Sequence, residues 1–105
     1  MSLLHLTDQN FEQEINEGVV LVDFWAPWCG PCRYVGPIIE AIANEVKDCK
    51  IAKMNVDENQ IVPSKYSIMS IPTIIIFKDG KILETLIGAR NKEEYLSAIE
   101  RAKAG

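Results

Sequence analysis

Val19-Val20-Leu21-Val22-Asp23-Phe24-Trp25 runs through Ala26-Pro27 into Trp28-Cys29-Gly30-Pro31-Cys32, and this passage decides how the chain is read. Residues 19–25 are apolar except for Asp23, with valines and aromatics that favour strands, which predicts a strand buried on both faces and therefore central in its sheet. Two cysteines separated by two residues follow at once, opening a helical stretch with Pro31 in its first turn. Proline is tolerated there because the first helical N–H groups have no intrahelical partner. Those free N–H groups and the positive end of the helix dipole favour thiolate over thiol at Cys29. At a reference pKa of about 8.5 an unperturbed thiol is only a few per cent ionised at pH 7, so such stabilisation decides whether the sulfur can attack.

The rest of the chain supplies a frame for this segment. Leu3–Leu6 is predicted as an edge strand. Thr7 is the expected N-cap of a helix to about Glu17, with Asp8 favourable in its first turn, Phe11 and Ile15 on one face, and Gly18 at its end. After the cysteines, Val35, Ile38, Ile39, Ile42, Ala43 and Val46 recur at helical spacing to about Lys47. Pro37 inside that run predicts a kink, the competing reading being two helices. Ile51–Val56 reads as a strand with Ile51, Lys53 and Asn55 on one face. Asn59–Tyr66 is a short helix or turn. Thr73–Phe77, the Asp79-Gly80 turn and Ile82–Ile87 form a hairpin. Asn91 caps a last helix with Glu94 at the capping-box position and Tyr95, Leu96, Ile99 and Ala102 inward. The order is βαβαβαββα, with the first three strands parallel and the hairpin antiparallel.

At 105 residues with 48% hydrophobic side chains, the chain 1–105 is expected to form one α/β domain with a core that needs neither disulfide staples nor structural metal. Its 11 basic residues against 15 acidic ones, a net charge of −4, argue against nucleic-acid binding, since no basic stripe can neutralise phosphates. No apolar run approaches membrane-spanning length. The opening Met1-Ser2-Leu3-Leu4-His5 carries neither a basic n-region nor a long apolar stretch, so no export signal is expected and the cytoplasm is the predicted compartment.

For Cys29 and Cys32 the other readings are zinc ligands or an inert disulfide. A structural zinc site needs four N/S donors and only Cys49 and His5 remain, which favours a redox pair with no metal. Cys29, at the exposed helix end, is the expected nucleophile; Cys32, within the first turn, resolves the mixed disulfide. Asp23 is either an acid at a water-exposed strand end or a buried carboxyl with a raised pKa that accepts the Cys32 proton through water. Pro72, unable to donate to a sheet ladder, marks the start of a strand. Cys49 is expected to be a passive thiol, with regulatory oxidation as the alternative, and His5 to be structural.

Asp23-Phe24-Trp25-Ala26-Pro27-Trp28-Cys29-Gly30-Pro31-Cys32 resembles the active-site segment of the thioredoxin family. Lys53, Asp57, Ile71-Pro72-Thr73, Lys78-Asp79-Gly80 and Gly88-Ala89 fall where that family carries similar residues, so the likeness covers nearly the whole chain. It implies the thioredoxin fold: a central five-stranded mixed sheet of order 1-3-2-4-5 flanked by four helices, with one long helix kinked at Pro37. It implies Lys53 as the neighbour of Asp23 on the adjacent strand, and a cis Ile71–Pro72 bond whose backbone pairs with extended substrate. Trp28, Gly30, Pro31, Ile71, Pro72, Gly88 and Ala89 would form the substrate-contact surface. The implied activity is general protein-disulfide reduction through a reversible Cys29–Cys32 couple in a monomer without a bound cofactor. Its implied partners are disulfide-containing proteins and a thioredoxin reductase that returns the electrons. Two other readings compete: an oxidant or isomerase of related fold, which tends to carry histidine where Pro31 stands, and a non-enzymatic subunit using the apolar rim.

Overall fold

The computed structural model describes residues 3–105; the part of the export-signal reading that falls on Met1 and Ser2 lies outside them. Five strands and four helices alternate: β1 Leu4–His5, α1 Phe11–Ile15, β2 Val19–Trp25, α2 Gly30–Glu45, β3 Lys50–Asn55, α3 Ile61–Lys65, β4 Thr73–Lys78, β5 Lys81–Ile87 and α4 Lys92–Ala104. The sheet order is β1-β3-β2-β4-β5. β1 and β2 each pair in parallel with β3, while β2–β4 and β4–β5 are antiparallel. The mixed sheet and its order are those the family resemblance implied.

β2 is central, as its unbroken apolar run requires. Val19 and Leu21 turn toward α2 and α4, where they pack with Val35, Ile39, Tyr95 and Ile99. Val20, Val22 and Phe24 turn toward α1 and α3 and pack with Phe11, Met54, Val62 and Phe77. Completely burying one such aliphatic side chain contributes about 1.5–3 kcal/mol, so both faces anchor the strand that leads into the cysteines. α2 is one helix of 16 residues with Pro37 inside it. Its inner stripe holds it against the sheet despite the backbone hydrogen bond that Pro37 cannot make.

The hairpin turn uses Asp79 and Gly80, both at positive φ (50° and 84°), a conformation that glycine adopts without penalty. Asp79 also joins the turn to the start of β2, its Oδ1 accepting from Gly18 N at 2.8 Å and its N–H donating to Gly18 O at 3.0 Å. Asn91 and Glu94 form the expected capping box: Asn91 Oδ1 accepts from Glu94 N at 2.9 Å and Glu94 Oε1 from Asn91 N at 3.3 Å. Within α4 the fully buried stripe is Tyr95, Ala98, Ile99 and Ala102; Leu96 is half-buried at its margin.

The expected Thr7-capped helix is corrected. α1 spans Phe11–Ile15 with Asn10 as its N-cap. Thr7 and Asn10 instead close a reciprocal turn, Asn10 Oδ1 accepting from Thr7 N at 2.7 Å and Thr7 Oγ1 from Asn10 N at 3.2 Å. The Asp8 carboxylate serves another helix, accepting from Ile61 N at 3.2 Å and Val62 N at 2.9 Å at the start of α3. Asn59 Oδ1 accepts from Asp8 N at 3.0 Å and closes the link. For Thr7 a local turn with Asn10 took the place of the cap, and for Asp8 a tertiary partner took the place of the first-turn role.

Candidate functional site

The end of β2 delivers the chain into a tight turn in which Cys29 N–H donates to Ala26 O at 3.2 Å. Cys29 is the N-cap of α2, extended at φ −88° and ψ 113°, and its sulfur occupies the place of a capping oxygen. The N–H of Cys32 donates to Cys29 Sγ at 3.2 Å. The two residues form a disulfide with their Cα atoms 5.2 Å apart. The Cys32 N–H and the helix end thus face the Cys29 sulfur, where they would stabilise negative charge once the bond opens.

Exposure does not distinguish the two cysteines. Cys29 is 4% exposed and Cys32 5%, both packed with Ala26 under Trp25, Val56 and Ile71. The expected exposed position of Cys29 is therefore corrected: what separates the pair is the direction of the N–H groups. Trp28, Gly30 and Pro31, which flank the buried cysteines in the chain, are exposed.

Ile71 and Pro72 enter β4 opposite the cysteines, joined by a cis peptide bond, with Ile71 O 3.7 Å from Cys29 Sγ. Gly88 N–H donates to Pro72 O at 2.9 Å, which brings the Gly88–Ala89 loop beside Ile71 and Pro72. Gly88 holds φ at 88°, where a side chain would be strained. The next turn is fixed from below, because Arg90 N–H donates to the hydroxyl of buried Tyr95 at 3.0 Å. The residues expected to contact substrate are thus gathered from three separate loops.

Asp23 is 1% exposed, and its Oδ1 has no hydrogen-bond partner among the described residues. Burial pushes its pKa up to about 7, with the positive charge of Lys53 opposing the rise. Lys53 lies opposite Asp23 in the parallel β2–β3 register, as expected. Its ammonium rests over the Trp25 ring, 4.1 Å from the centroid. A groove of about 230 Å³ beside α2 is bordered by Trp25, Cys32, Pro37, Glu40 and Lys53. A buried carboxyl that titrates near neutrality, on the same strand that leads into the cysteines, is suited to exchange a proton during turnover.

Sequence reasoning gave Asp57 no role. The indole N–H of Trp28 donates to both Asp57 carboxylate oxygens, at 3.1 and 3.0 Å, and holds a side chain that is 65% exposed. The signal lay in the strand register: Trp25 pairs with Asn55, so the turns that continue both strands run side by side.

Cys49 stands apart, half-buried in the α2–β3 loop. Burial pushes its thiol up to about 11, with Lys103 and the Leu21 backbone opposing the rise. Among the described residues no cluster of three or more His, Cys, Asp or Glu side chains could hold a metal ion.

A family model described as Thioredoxin matches residues 2–101. The chain is 51% identical over 102 residues to a thioredoxin of Bacillus subtilis, covering 96% of this chain and 98% of that one. It is 54% identical over 97 residues to a thioredoxin of Listeria monocytogenes, covering 91% and 94% respectively. Among solved structures, a mutant thioredoxin from Halobacterium salinarum superposes with a TM-score of 0.88 at 33% identity, over 96% of this chain and 90% of that one. A thioredoxin of Malassezia sympodialis does so with a TM-score of 0.88 at 30% identity, over 97% and 94%.

Proposed function

The chain belongs to the thioredoxin family and is a protein-disulfide reductase, a thiol–disulfide oxidoreductase, and we propose how its residues divide that work. In the reduced protein the Cys29 thiolate attacks one sulfur of a substrate disulfide, and the other substrate sulfur leaves as a thiolate that takes up a proton. Cys32 then gives its proton, through water, to ionised Asp23. The Cys32 thiolate attacks Cys29 Sγ, the mixed disulfide breaks, and the second substrate sulfur departs. Two electrons have passed to the substrate, and the Cys29–Cys32 disulfide is closed.

The Cys32 N–H aimed at Cys29 Sγ is the observation that carries this assignment of attacker and resolver. The buried Asp23, titrating at about 7, supports its role as acceptor, and Lys53 supports it by holding a positive charge beside the carboxylate. Trp28, Gly30, Pro31, Ile71, Pro72, Gly88 and Ala89 form the proposed surface for an extended substrate segment, which the backbone of Ile71 pairs with. The protein works as a monomer in the cytoplasm without a bound cofactor, and a thioredoxin reductase restores the dithiol.

A Cys32→Ser variant tests the order of attack. Mixed with a protein disulfide, it should stop at a stable mixed disulfide that maps to Cys29. Accumulation of the adduct on Cys49, or no adduct at all, would overturn the assignment.

A further inference from the structure

Among the described residues Met69 is the most exposed of the large apolar side chains, at 91%, whereas Met54 is fully buried. It lies two residues before Ile71, in the loop that leads from α3 into the site. That loop is tied down at several points. Ile68 N–H donates to Pro63 O at 2.9 Å and Ser67 N–H to Ser64 O at 3.1 Å. Thr73 Oγ1–H donates to Ser70 O at 2.6 Å. A held backbone thus presents an unbranched, polarisable side chain to solvent two residues before Ile71, whose carbonyl oxygen lies 3.7 Å from Cys29 Sγ. Shallow grooves run along both sides of the loop, and Met69 borders both; Ile82 and Ile87 form the far wall of one, and Val56 and Pro63 part of the other. Ile82 and Ile87 are themselves 46% and 58% exposed, so the apolar surface continues past Met69 onto β5.

We propose that Met69 determines specificity in disulfide reduction by packing against a large apolar side chain next to the attacked cysteine of the substrate, and that oxidation of its thioether weakens this contact. The inference rests on the reading that substrate lies along Ile71 and Pro72. The oxidant is a peroxide. The sulfur of Met69 attacks one peroxide oxygen, the O–O bond breaks, the oxygen stays on sulfur as a sulfoxide, and water leaves with the two electrons that sulfur lost. The sulfoxide is polar, so an apolar partner packed on it loses part of its gain from burial.

Two otherwise identical peptide disulfides, one with leucine and one with aspartate beside the attacked cysteine, test this in a Cys49→Ser background. Met69→Gln should lower kcat/KM for the leucine peptide roughly 3–10-fold more than for the aspartate peptide, chiefly through KM, and Met69→Leu should restore the wild-type ratio. Dilute hydrogen peroxide applied to the disulfide-closed protein should add one oxygen at Met69 and none at Met54. After the disulfide is reduced again with dithiothreitol, the oxidised protein should show the Met69→Gln ratio. An unchanged peptide ratio in Met69→Gln, or an oxidised protein that keeps the wild-type ratio, overturns the proposal. Ile71→Ser separates this from failure of the underlying surface: raised KM for both peptides means that surface stands while Met69 does not contribute, and unchanged KM for both removes the surface as well.

Discussion

The turn that holds Cys29 and the loop that holds Cys49 put the same side chain in opposite conditions. Cys49 is the more exposed, yet burial pushes its thiol up to about 11, a rise that Lys103 and the Leu21 backbone only partly offset. Cys29 is only 4% exposed, but it receives the Cys32 N–H and sits at the start of a 16-residue helix. At pH 7 a thiol with a pKa of about 11 is ionised in roughly one molecule in ten thousand. The expected order of reactivity therefore follows the helix end and the direction of the Cys32 N–H, with accessibility secondary.

The largest expected contrast is in turnover. Cys29→Ser should abolish reduction of a protein disulfide, whereas Cys49→Ser should leave kcat/KM within about twofold of wild type. Equal losses in a steady-state assay would end the distinction between the two environments. Alkylation sharpens it next. In the reduced protein at pH 7, limiting iodoacetamide should label Cys29 at least about 100-fold faster than Cys49, because only thiolate reacts. Peptide mapping that finds Cys49 labelled first would show that exposure governs after all.

Asp23 gives a smaller effect of the same kind, burial acting on a charge without local donors. Its folded pKa of about 7 exceeds an unfolded value near 3.9, so the folded state binds the proton more tightly. That contribution is complete below about pH 4 and is lost as pH rises through 7. Asp23→Asn should therefore be more stable than wild type at pH 8 by on the order of 2–4 kcal/mol, with the gap closing by pH 4, as denaturant unfolding of the oxidised protein would measure. The same variant should resolve the mixed disulfide more slowly in single-turnover assays. A variant less stable at pH 8 that resolves at the wild-type rate would make Asp23 a structural partner only. The smallest effect is expected at Asp57. Asp57→Ala frees the Trp28 indole and should raise KM for protein disulfides roughly 2–5-fold with little change in kcat.

What could be read from the sequence was what local pattern controls. The apolar run of β2, the Asp79-Gly80 turn and the Asn91–Glu94 box each carry their structure in adjacent residues, and each formed where expected. The cysteine pair was legible for the same reason: its spacing and Pro31 place it at a helix start. Thr7 was misread as a cap because its hydroxyl closes a local turn with Asn10 instead, and Asp8 was misread as a first-turn acid because its carboxylate serves α3, more than 50 residues away. Lys53 was placed correctly opposite Asp23, but the Trp25 face that its ammonium covers depends on side-chain packing. Met69 carries no periodic signal at all; its interest comes from the loop that fixes it beside Ile71.

The bonds from Asp8 to the amides of Ile61 and Val62 also make α3 an internal reporter. First-turn amides of a five-residue helix have no partner of their own and would trade hydrogen for deuterium quickly. Here their protection depends on residue 8, on the far side of α1. Deuterium uptake at those two amides thus measures how firmly the early chain is seated, without any label placed near the cysteines.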